Sequence, residues 1–169
     1  MSDGGARVRG LYHALDEQVR PLLARHADRL GCRRGCAHCC IDGLTVLQLE
    51  ADRIVAAHAE LLRTEAPAPA GRCALLDAEG ACRVYEVRPY VCRTQGLPLR
   101  WFEEDEASGE IHEYRDICPI NLEGPALATL GDEELWTLGP FEEHLLDANL
   151  ELFGHDRRVA LRDLFAKRC

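Results

Sequence analysis

Apolar residues recur at Leu11, Leu15, Val19, Leu22, Leu23 and Leu30, mostly three or four positions apart. That spacing lines one face of a helix over residues 6–30, with Pro21 placed to bend or divide it and Gly31 to stop it. The pattern breaks over residues 32–43, a short, glycine-containing, cysteine-rich stretch that reads as a loop. Thr45-Val46-Leu47-Gln48 has the form of a capping box. It predicts a helix to about residue 63, with Leu49, Ile54, Val55, Leu61 and Leu62 among its apolar positions. The run Ala-Pro-Ala-Pro-Ala-Gly at residues 66–71 ends that helix.

The period then shortens. Residues 73–85 read as a hairpin turning at 77–80, followed by a helical turn around Arg88-Pro89. A second hairpin runs from 97–103 to 111–115 across the acidic turn 104–109. Beyond Cys118 the signals are helical again. Asp132 can cap a short helix to Leu138, and Pro140 suits the first turn of another ending near Gly154. Residues 156–167 place Val159, Leu161, Leu164 and Phe165 mostly on one side. No internal repeat interrupts the series. The elements predict an α-rich α+β fold, with helices around irregular Cys-rich metal-binding loops and one or two small β-hairpins. A length of 169 residues, 47% of them apolar, suits a single domain over 1–169. Its cysteine-cluster core would span about 32–118 and its helical C-terminal part about 119–169.

Charge removes one class of partner. The net charge is −9, whereas a nucleic-acid-binding surface needs a basic face to neutralise phosphates. Arg33-Arg34 is basic but too short to reverse that balance, and it suits the offsetting of thiolate charge. No apolar run reaches bilayer length, and the first ten residues hold no apolar segment of signal-peptide length. The expectation is therefore a cytoplasmic protein with no membrane partner. In that reducing compartment nine cysteines, an odd number, point to metal or redox chemistry rather than to a disulfide framework.

Eight of them fall as Cys32-x3-Cys36-x2-Cys39-Cys40, then Cys73-x8-Cys82-x9-Cys92-x25-Cys118. Thiolates are soft ligands that favour zinc, copper(I) or iron–sulfur over calcium and magnesium. Gaps of two or three residues let a loop turn successive sulfurs toward one centre. Eight suggest two four-coordinate centres, or one cluster with additional ligands. Adjacent side chains diverge, so Cys39 and Cys40 are expected to serve different ions or different parts of a cluster. The candidate metal ligands are Cys32, Cys36, Cys39, Cys40, Cys73, Cys82, Cys92 and Cys118. Neither ferredoxin spacing is present, and zinc and iron–sulfur both remain open.

Other groups near the cysteines read more plainly. His38 suits a neighbour of the metal shell or an exposed side chain better than a ligand. Glu50 and Asp52 complement the dipole at a helix start. Arg88 and Arg93 are expected to hold the loop around Cys92, through Glu86 or backbone carbonyls. Tyr85 and Tyr90 read as packing residues, and His58 as a helix-surface residue. His112, His144 and His155 belong to no ligand motif, and Cys169 reads as a terminal, non-ligand thiol.

Cys36-x2-Cys39-Cys40, Cys73 and Cys82, followed by Val84-Tyr85-Glu86-Val87-Arg88-Pro89-Tyr90-Val91-Cys92-Arg93, resemble the YkgJ-type cysteine-cluster family. Its signature is CxxCxxCC; here three residues rather than two separate Cys32 from Cys36. The resemblance implies a zinc- or iron-chelating domain. Some relatives are associated with methylation of flagellin lysines. The resulting expectation is a metal-binding protein that holds zinc or an iron–sulfur cluster through eight cysteines, with metal ions as partners. The alternative is an iron–sulfur-dependent redox enzyme or a protein-modifying, methyltransferase-like enzyme. No phosphate loop, nucleophile elbow or His-Glu-x-x-His motif supports other enzyme classes.

Overall fold

The computed structural model describes residues 3–165; Cys169 and the end of the last predicted segment lie outside them. The first helix, α1 (Asp3–Arg25), buries Val8, Tyr12, Leu15, Val19 and Leu22; of the face anticipated from the spacing, Leu15, Val19 and Leu22 lie inward, whereas Leu23 is exposed. Pro21 is carried inside it. The helix ends at Arg25, short of Gly31, because tertiary partners take over. His26 Nε2 meets the Glu134 carbonyl at 2.7 Å, and buried Arg29 donates to the carbonyls of Asn121 and Pro125.

The cysteine-rich loop leads into β1 (Thr45–Leu47) and α2 (Gln48–Thr64). Here the structure corrects the capping box. Thr45 lies in a strand, and the first N–H groups of α2 find other acceptors. The Glu50 carboxylate accepts the Leu47 N–H at 3.1 Å, and Asn149 Oδ1 accepts the Leu49 N–H at 3.0 Å. A kink at His58 interrupts α2.

The predicted hairpin at 73–85 contracts to one bridge, Leu76 with Cys82, around the 77–80 turn. A 3-10 turn (Tyr85–Val87) and the short α3 (Tyr90–Thr94) follow, matching the helical turn anticipated there. The second hairpin forms as read, with β2 (Leu99–Glu104) antiparallel to β3 (Ile111–Asp116).

Two C-terminal expectations change. The Asp132 helix is only a 3-10 turn, Asp132–Glu134, after which Trp136–Thr137 forms β4 parallel to β2. The open edge of β2 needs donors, and the Trp136 and Leu138 N–H groups supply them to the Pro98 and Arg100 carbonyls. Pro140 does open α4 (Pro140–Phe153), and Gly154, at φ 71°, closes it in the left-handed conformation that glycine adopts without strain. The last segment is β5 (Arg158–Ala160), antiparallel to β1, and a 3-10 turn (Leu161–Phe165) rather than a helix. The architecture is helix-rich α+β with small sheets of two and three strands.

Two apolar clusters flank the cysteines. One joins the inner face of α1 to Leu49, Tyr90, Leu97, Trp136, Phe141 and Leu145. The other joins Val46, Ala51, Ile54 and Leu62 to Leu75, Leu76, Val84, Leu161 and Phe165. Helix α2 contributes to both, with Leu49 in the first and Ala51 and Ile54 in the second. Cys40 and Cys82 pack against the second cluster, and Cys73 is part of it.

Candidate metal centre

The cysteines arrive on turns, because a turn can aim side chains that a regular ladder would send to opposite faces. Arg33 to Cys36 is a four-residue turn closed by the Cys36 N–H on the Arg33 carbonyl at 2.9 Å, with Gly35 at φ 85° in its third position. A second turn closes when the Cys40 N–H reaches the Ala37 carbonyl. The Cys40 carbonyl in turn accepts the Cys73 N–H at 3.1 Å, so two distant segments are bonded at their cysteines. Asp42 extends this junction. Its carboxylate accepts the Gly71 N–H and the Arg162 guanidinium, each at 2.8 Å, and these bonds hold its pKa below the usual carboxylate range.

Cys92 sits on α3 beneath a cage of side chains. Glu50 is buried, and its carboxylate accepts the Tyr12 hydroxyl at 2.7 Å, the Tyr90 N–H at 2.9 Å and the Leu47 N–H. Three donors occupy it, so its work goes beyond the helix-dipole role anticipated. Arg88 donates to the carbonyls of Tyr85 and Cys92. Arg93 donates to those of Glu86 and Arg88. The two arginines therefore hold the loop through backbone carbonyls. Tyr90 is a packing residue, stacked on Phe141 at 5.3 Å and accepting the Trp136 indole N–H.

Asn121, which the sequence reading passed over, ties three segments together. Fully buried, it accepts the Gly31 N–H and donates to the Gly96 carbonyl, both at 2.8 Å, and its amide nitrogen lies 3.5 Å from Cys32 Sγ. Its own N–H closes the turn onto the Cys118 carbonyl. Gly96 is needed beside it: at φ 97°, a Cβ there would stand 2.8 Å from Cys32 Sγ. The one available signal was position, a polar residue three places after Cys118 at the foot of a turn.

All eight described cysteines are free thiols. Their thiolate charges act on one another. Cys32 feels Cys36, Cys118 and Cys39. Cys40 feels Cys39, Cys73 and Cys92, while Cys92 feels Cys73, Cys82 and Cys39. Cys39 acts on Cys32, Cys40 and Cys92 alike. Burial, then neighbouring thiolates, pushes the Cys92 thiol up to about 12. Burial also raises Cys32, Cys73 and Cys82. Cys39 and Cys40 share a hydrogen bond that favours the thiolate at Cys39 and the thiol at Cys40.

This donor set fits zinc or iron. Its sulfurs are soft, they come from several segments, and each disfavours the ionisation of the next until a cation offsets the charge. Among the described residues no three Cys, His, Asp or Glu side chains close into one coordination shell. His38 is exposed at the rim. No described helix is long and apolar enough to cross a membrane.

Comparison with curated proteins and with solved structures returns no match. A family profile does match, over residues 31–119. It begins one residue before Cys32, ends one after Cys118, and is described as "putative zinc- or iron-chelating domain". The segment it covers carries all eight described cysteines, and the chain belongs to this CxxCxxCC family.

Proposed function

We propose that the protein is a metal-binding module that holds zinc or an iron–sulfur cluster through Cys32, Cys36, Cys39, Cys40, Cys73, Cys82, Cys92 and Cys118. The observation that carries the reading is the match of residues 31–119, which hold all eight of these cysteines, to a zinc- or iron-chelating family. Four thiolates complete the tetrahedral shell of a zinc ion or supply the protein ligands of an iron–sulfur cluster. Polar groups beside the cysteines are spent on backbone: Glu50 on N–H groups, Arg88 and Arg93 on carbonyls. That pattern suits a site whose chemistry is ligation. The reading takes the chain as one cytoplasmic domain with no nucleic-acid or membrane partner.

The test is anaerobic purification, followed by an absorption spectrum and zinc, iron and acid-labile sulfide analysis on one sample. About two zinc ions per chain in a colourless protein, or iron with sulfide in a brown one, is the expected result. A folded protein that takes up neither overturns the proposal.

A further inference from the structure

The turn carrying Arg33, Arg34 and Cys36 borders a groove of about 610 Å³. Its walls include Arg33, Arg34, Gly35, Cys36, His38 and Ile120, and no acidic residue lines it. In a chain of net charge −9 this is a local reversal of sign. The size lies within the ordinary range of small-molecule sites.

Several other arginines of this region are committed. Arg29, Arg83, Arg88, Arg93 and Arg162 donate to backbone carbonyls. The side chains of Arg33 and Arg34, both exposed, make no hydrogen bond or ion pair among the described residues. Their backbone is braced nevertheless. The turn is closed at Cys36, and its tip abuts the 77–80 turn, where a Cβ on Gly80 would lie 3.4 Å from the Gly35 carbonyl oxygen. Two unspent guanidinium forks are thus presented by a fixed backbone beside a candidate ligand thiol.

We propose that this groove binds a small polycarboxylate anion and receives metal as its carboxylate chelate, delivering the ion to Cys36. The delivery half rests on the metal-binding reading above. Guanidinium forks match carboxylates in bidentate geometry, and a row of two suits an anion with more than one carboxylate. Zinc, for example, moves from hard oxygen to softer sulfur ligands: carboxylate–zinc bonds break and thiolate–zinc bonds form. Each cysteine that starts as a thiol gives its proton to a freed carboxylate or to water, and no electron is transferred.

The experiment has two arms on the full chain. In the first, metal-free protein is titrated with citrate, and with inorganic phosphate for comparison, by calorimetry. Citrate is expected to bind saturably, more tightly than phosphate. The double variant Arg33→Ala/Arg34→Ala should weaken it about tenfold or more, as the loss of two charged forks implies. In the second arm, the uptake rate of zinc is compared from zinc citrate and from aqueous zinc chloride. The substitutions should slow loading from citrate by a larger factor than they slow loading from the aqueous ion. No saturable citrate binding, equal binding by the variant, or phosphate matching citrate overturns the groove as a carboxylate site. Uptake from both sources that ignores the substitutions overturns delivery while leaving metal binding intact. Failure to take up zinc or iron from any source overturns the metal reading, and the citrate titration still decides the groove.

Discussion

Asn121 has its side-chain amide spent on the Gly31 N–H and the Gly96 carbonyl, with Cys32 Sγ in reach of the same nitrogen. Asn121→Ala leaves the part-buried Gly31 N–H and the buried Gly96 carbonyl without their partner, and the buried group alone costs about 1–3 kcal/mol. Urea unfolding should show the loss, and thiol alkylation followed by mass spectrometry should show Cys32 reacting faster than in wild type. Tyr12 offers a residue-scale test with a pH sign. Burial, and then Glu50, raise its pKa above the ordinary tyrosine value. The folded state therefore keeps that proton when the unfolded state releases it. Its contribution is complete below about pH 10 and falls as pH rises further. Tyr12→Phe should lower stability at about pH 8, because Glu50 loses a hydrogen bond, and should make the alkaline decline shallower. Paired urea titrations at about pH 8 and about pH 10.5 measure both effects. The cysteines were legible because thiol spacing is a local signal. Asn121 and the Glu50 cage were not, because their meaning lies in partners that are distant in sequence.

At the scale of elements, what the hydrophobic period fixes and what tertiary pairing fixes come apart. Part of the inner face of α1, the β2–β3 hairpin and the limits of α4 follow from spacing, a turn, a proline and a glycine. Thr45, Trp136 and Val159 lie in strands where helices were expected. In each case the strand is two or three residues long and satisfies the backbone of a segment remote in the chain, a demand that no window of sequence displays. Asn149 makes the same point for helix capping. It is fully buried on α4, accepts the Leu49 N–H of α2 and donates to the His155 carbonyl at 2.6 Å. Asn149→Ala should cost about 1–3 kcal/mol, read as a lower denaturation midpoint in circular dichroism. Hydrogen exchange should quicken at the first turn of α2 rather than along α4.

For the molecule as a whole, the two apolar clusters and the thiols between them set what metal removal does. The cluster around Leu15, Leu97, Phe141 and Leu145 contains no cysteine, whereas the cluster around Ile54 and Leu75 is edged by Cys40 and Cys82 and includes Cys73. A strong chelator should leave most helical circular dichroism in place, because α1 and α4 pack through the first cluster. Amide protection should fall over residues 32–44 and 73–96, where turns rather than ladders hold the backbone; protection that falls equally in α1 and α4 would contradict this division. The pairing of β1 with β5 carries a consequence in time. Residues 45–47 wait for residues 158–160, and Leu161, Leu164 and Phe165 complete the cluster that Cys73 joins. A ribosome makes those residues after every one of the eight cysteines. Until they emerge, Cys40, Cys73 and Cys82 lack part of the apolar cluster they adjoin. Protein synthesis itself thus leaves those three thiols less covered than in the finished fold, and a chain released before residue 158 never acquires the strand that pairs with β1.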